Sequence, residues 1–119
     1  MIRLLKLNAL AQIEEKEFMN RREKIEERLR SDPDDVFLNY TYAMELSKED
    51  ELQAAQKAFA RVRQLDPDYI PAYFQEGQML GNHGEVEAAR EILKSGIEVA
   101  RRIGDSHALG EMTEYLESL

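Results

Sequence analysis

The chain has 119 residues, no cysteine, no tryptophan and a net charge of −8. This length supports one domain that buries about two-thirds of its unfolded surface, and the missing thiols exclude disulfides and thiolate chemistry. Residues 1–30 carry eight Lys/Arg against six acids, while residues 31–69 and 70–119 each carry four against nine; so acidic a body would repel phosphates, which argues against a nucleic-acid partner and favours a basic or neutral protein surface.

The first 30 residues contain no Gly and no Pro and are rich in Leu, Ala, Glu, Lys and Arg, which favours a helix. Ile2, Leu5, Ala9 and Ile13 form one apolar stripe, widened by Leu4, Leu7 and Leu10. Lys6, Asn8 and Gln12 interrupt the apolar run, so the segment reads as neither a signal peptide nor a membrane span, and the expected location is cytoplasmic. From Glu14 a charged helix follows, with a narrow stripe of Phe18, Ile25 and Leu29. The pattern allows one unbroken helix over residues 2–30 or a turn near Glu15–Phe18. Met19 opens a self-contained helical stretch, and residues 1–18 then read as an extension or an appended segment.

Asp32-Pro33 stops this helix, because Pro biases the residue before it away from helical angles. Asp34 or Asp35 can cap the next one, predicted over Val36–Ser47. Asp50 with Gln53 has the capping-box pattern and opens a helix to about Leu65. Asp66-Pro67-Asp68 breaks the chain again, and Pro71 suits the first turn of a helix ending near Leu80. Gly81-Asn82-His83-Gly84 is a strong turn signal. A helix over Glu85–Ile103 then stops at Gly104, and Asp105 or Ser106 caps a last helix. No stretch alternates as a strand does, so the expected class is all-α.

A shift of 34 residues superimposes much of this pattern. Asp32, Pro33 and Asp34 return as Asp66, Pro67 and Asp68; Leu46 returns as Leu80, Glu51 as Glu85, and Ala54-Ala55 as Ala88-Ala89. Val36, Tyr40, Ala43, Leu52 and Phe59 return in kind as Ile70, Phe74, Gly77, Val86 and Leu93. The pattern resembles the tetratricopeptide repeat: small residues at Ala43 and Gly77, alanines at Ala55 and Ala89, a large residue four positions on at Phe59 and Leu93, and a closing Pro67. The small positions let paired helices approach, and Leu46, Leu80, Phe59 and Leu93 fill the space between pairs. Departures occur at Asn39 and Tyr73 in the aromatic slot, at Tyr42 and Glu76 in the leucine slot, at Leu46 and Leu80 in the tyrosine slot, and at Arg101 in place of a second closing Pro.

The resemblance covers residues 32–100 and implies a right-handed superhelix of antiparallel helix pairs, an α-solenoid. It places an N-terminal helical segment at 1–31, repeats at about 34–67 and 68–103, and a capping helix at 105–119. The segment ending Glu26-Glu27-Arg28-Leu29-Arg30 fits the second helix of a degenerate preceding repeat. In this family the first helices line a groove that holds a partner's peptide or helix, with no cofactor. Carried over, the groove-facing candidates are Phe37, Tyr40, Met44 and Lys48, then Pro71, Phe74, Gln78 and Asn82. Tyr40 and Phe74 should stand side by side, either offered to a ligand or buried by a terminal helix. The slots used by relatives that clamp a carboxylate hold Tyr40, Met44, Phe74 and Gln78, with no positive charge, which argues against that mode.

Ile2, Leu5, Ala9 and Ile13 are a second candidate surface. An exposed apolar stripe needs a partner, so residues 2–13 suit self-association, while Phe18 to Leu29 suit internal packing. His83 and His107 lack neighbouring ligands in sequence, so no metal site is expected. The glycines at 81 and 84 follow no strand and form no phosphate loop, and the serines lie in no nucleophile motif. The expected protein is a non-enzymatic interaction module whose partner is a protein or peptide.

Overall fold

The computed structural model describes residues 6, 9, 10 and 19–119. Six helices and no strand occur among the described residues from 19 onward: α1 (Arg21–Ser31), α2 (Val36–Lys48), α3 (Leu52–Leu65), α4 (Ile70–Asn82), α5 (Val86–Ile103) and α6 (Ser106–Ser118). Among the described residues, no helix is long and apolar enough to cross a membrane.

Each helix begins and ends for a local reason. Met19 and Asn20 are not helical, and Asn20 caps α1 by accepting from the Glu23 amide at 2.8 Å. An unbroken helix to residue 30 is therefore ruled out. Lys6, Ala9 and Leu10 are helical, whereas Ile2, Leu5 and Ile13 lie outside the described residues. Asp35 caps α2, accepting from the Leu38 amide at 2.7 Å.

The capping box expected from Asp50 and Gln53 does not form. Glu51 occupies the cap of α3 without a side-chain bond, and Asp50 sits at φ 58. The turn needs a left-handed residue there, and 34 positions later Gly84 supplies it at φ 78. Asp68 is likewise not the cap of α4, since Tyr69 takes that place with no side-chain bond. Pro71 lies in the first turn of α4, where its missing amide costs nothing. Gly104, at φ 81, ends α5, and Asp105 caps α6 through the Ala108 amide at 3.0 Å.

The helices pack in sequence: α2 on α3 and α4 on α5 within pairs, and α1 on α2, α3 on α4 and α5 on α6 between them. Ala43, Ala55 and Ala89 are fully buried, as are Leu46, Phe59 and Leu93, and Leu80 is nearly so. Burying each large apolar side chain is worth about 1.5–3 kcal/mol. A Cβ built on Gly77 would lie 2.7 Å from Leu93 Cγ and Cδ2, so Leu93 of α5 packs directly on the bare backbone of α4.

The departures from the repeat pattern also have a structural account. Asn39 and Tyr73 are both buried. Asn39 Nδ2 donates to the Pro33 carbonyl at 3.0 Å, and Tyr73 Oη donates to the Pro67 carbonyl at 2.7 Å. The slot thus ties each helix pair to its own proline joint, whether by an amide or a phenol. The second Asp of each joint pairs with the second helix of the same pair: Asp34 with Arg61, and Asp68 with Arg102.

Candidate functional site

The first helices α2 and α4 carry the groove candidates, and α6 lies beside α4. Phe37 is 66% exposed, the most exposed large apolar residue described. Lys48, Pro71 and Asn82 are exposed too, while Met44 and Gln78 are half-buried. Tyr40 and Phe74 are both half-buried, and each packs on another ring. Tyr40 packs edge-on against Tyr69 with centroids 5.3 Å apart, and Phe59 lies 6.5 Å away. Phe74 packs edge-on against Tyr115 of α6 at 6.2 Å. Each ring has found an aromatic partner from the adjoining element, because stacking of helix pairs brings those elements against it.

Tyr115 reaches this position because Gly81 has no side chain: a Cβ there would collide with the Tyr115 hydroxyl. That hydroxyl lies 3.5 Å from the Gln78 carbonyl. Between α4 and α6 a cleft of about 220 Å³ remains, with Pro71 and Phe74 in its wall beside Asp105, Ala108 and Glu111. Sequence reading singled out the first two and missed the others, which belong to a different helix.

A second polar constellation lies between α3 and α4. Glu76 is 2% exposed and pairs with Arg63 of α3. Burial pushes its carboxyl up to about 7, against the pull of the Arg63 guanidinium. Arg63 also lies 5.9 Å from the Tyr73 ring centre. The sequence signal was an acid in an apolar repeat slot. The corresponding Tyr42 points a hydroxyl at Glu26 of α1 at 3.4 Å. In both repeats this slot therefore reaches back to the preceding second helix.

Among the described residues, no group of three or more His, Asp or Glu is arranged to hold a metal. His83 contacts Asp50 at 3.5 Å, and His107 contacts Glu111 at 2.8 Å, both near the surface.

No protein-family model and no curated protein matches the chain. Solved structures do. A tetratricopeptide repeat domain protein from Salinibacter ruber, determined in solution, is 30% identical with a TM-score of 0.66 over 72% of this chain and 87% of its own. Its crystal structure gives 30% identity and a TM-score of 0.62 over 71% and 93%. The chain belongs to the tetratricopeptide repeat family. A Bordetella parapertussis protein, 24% identical with a TM-score of 0.74 over 85% of this chain and 88% of that one, shares the fold. As a tetratricopeptide repeat protein the chain is an α-solenoid, and family membership points to protein interaction in general.

Proposed function

We propose that the protein binds a peptide or helix of a protein partner on the face built by α2 and α4, acting as a non-enzymatic interaction module. The binding unit comprises repeats at about 34–67 and 68–103, closed by the helix at 105–119. The observation that carries this reading is Phe37. It is 66% exposed on a helix whose other large apolar side chains are at least half-buried. Aromatic anchors dominate binding hot spots, and a ring this exposed is available to a partner. Lys48 at the far end of α2, and Gln78 and Asn82 on α4, offer polar contacts to an extended partner. Two repeats bury little area, so the expected affinity is about micromolar.

The test is selection of binders from a library of displayed random peptides, followed by titration of the selected peptides against the native protein and Phe37→Glu. Weakening of tenfold or more by Phe37→Glu supports the face. Equal binding to both removes it.

A second reading has its own observation. Ala9 and Leu10 are helical and exposed, Leu10 to 56%. An apolar stripe over Ile2, Leu5, Ala9 and Ile13 would then join copies of the chain into a homo-oligomer.

A further inference from the structure

We propose that the cleft between α4 and α6 receives residues 2–13 of a second copy of this chain, so that copies join head to tail. This rests on the homo-oligomer reading and adds the surface that the N-terminal segment meets.

The cleft measures about 220 Å³. That is below the roughly 300–1,000 Å³ of small-molecule sites and suits side chains of a docked helix. Its wall is apolar at Ile70, Pro71, Phe74 and Ala108, and its rim carries Asp105 and Glu111. The last helix is acidic, while Arg101 and Arg102 end α5 just before it and His107 lines the cleft beside Glu111. Residues 104–119 contain four acids, Asp105, Glu111, Glu114 and Glu117, and no Lys or Arg.

The opposite end of the sequence is its complement. Residues 1–13 contain two bases, Arg3 and Lys6, and no acid, beside the stripe of Ile2, Leu5, Ala9 and Ile13. At its described positions, Lys6, Ala9 and Leu10, the segment is exposed, so it is not buried there by its own chain. An apolar stripe flanked by bases fits an apolar wall flanked by acids. Residues 14–30 make a poorer fit, since their six bases are balanced by six acids.

The two surfaces differ, so the contact is heterologous. Every copy keeps a head and a tail, and assembly grows with concentration unless the rotation between copies closes a ring. Glu111 is exposed and Asp105 half-buried, so added salt weakens the contact.

Sedimentation velocity on the full chain, from micromolar to millimolar concentration, tests this. A head variant, Arg3→Glu/Lys6→Glu, is compared with a tail variant, Asp105→Asn/Glu111→Gln, in which Asn keeps the α6 cap. Far-UV circular dichroism verifies that both are folded. The native chain should gain mass with concentration, and each variant should need at least tenfold more protein to do so. An equimolar mixture of the two should stop at a 1:1 dimer, because it contains one intact head and one intact tail. A native chain that stays monomeric, including one whose segment docks on itself, overturns both this inference and the homo-oligomer reading. Assembly unaffected by the tail variant, or variants that do not rescue each other, overturns the cleft as the docking site and leaves the homo-oligomer reading standing.

Discussion

Glu76 is the residue at which local chemistry most opposes the repeat pattern. The family slot is apolar, and here a carboxyl is buried with only Arg63 to compensate it. Its folded value of about 7 lies above the ordinary 4.5. The neutral form is therefore favoured by folding: its contribution is complete below about pH 4.5 and is lost as pH rises through about 7. Glu76→Gln should gain stability relative to the native protein across that window, by on the order of 1–3 kcal/mol. Urea unfolding at pH 4.5 and at pH 8 checks this, and a difference that does not change between the two values refutes it. Removing Arg63 is a different matter, since it leaves the carboxyl buried and unpaired. The same scale explains Asn39 and Tyr73. Two unlike residues fit one slot because each presents a donor to the carbonyl of its joint proline.

At the scale of the element, the two Asp-Pro-Asp joints look identical and behave differently. In the first, Asp35 follows and caps α2; in the second, Tyr69 stands at the equivalent place and α4 has no side-chain cap. Asp35→Ala should therefore cost about 1 kcal/mol, the usual loss for an N-cap. Asp68→Ala should cost little by comparison, because it loses only an exposed ion pair with Arg102. Chemical denaturation of the two variants compares them directly, and equal losses would contradict the assignment. The turn after α2 carries a related lesson. Asp50 has a capping residue's chemistry, but the tight return to α3 demands positive φ, and backbone geometry overrides the side chain.

For the whole molecule, the decisive contact is three helices meeting at one glycine. A Cβ on Gly96 of α5 would lie 2.7 Å from Tyr73 Cβ in α4 and 2.8 Å from Met112 Sδ in α6. Tyr73 Cβ is anchored to the backbone and cannot yield as a leucine tip can. Helix propensity alone would make Gly96→Ala stabilising by about 1 kcal/mol. Overpacking should outweigh it, costing about 1–3 kcal/mol. A lowered melting temperature is the expected outcome, and a raised one would show that α6 does not press on α5 as described. The fully buried Met112, the Phe74–Tyr115 contact and the bond from Arg90 to the Leu119 carbonyl at 2.9 Å hold α6 against α4 and α5. Its exposed residues are mostly polar or charged, including Glu111, Glu114 and Glu117.

The division between sequence and tertiary structure follows from range. The all-α class, the 34-residue period, the turns at Pro33, Pro67 and Gly104, and the buried small and large positions were legible because periodicity, proline geometry and glycine conformation act within one turn of the chain. The candidate groove positions could be named from the resemblance, but their exposure could not. Phe37 is open, whereas Tyr40 and Phe74 are covered by Tyr69 and Tyr115, which lie 29 and 41 positions further on in the numbering. The pairing of Arg63 with Glu76 and the cleft between α4 and α6 depend likewise on how far the helix pairs rotate as they stack. That rotation is decided by side-chain volumes on several elements together, and it is readable only once those elements have met.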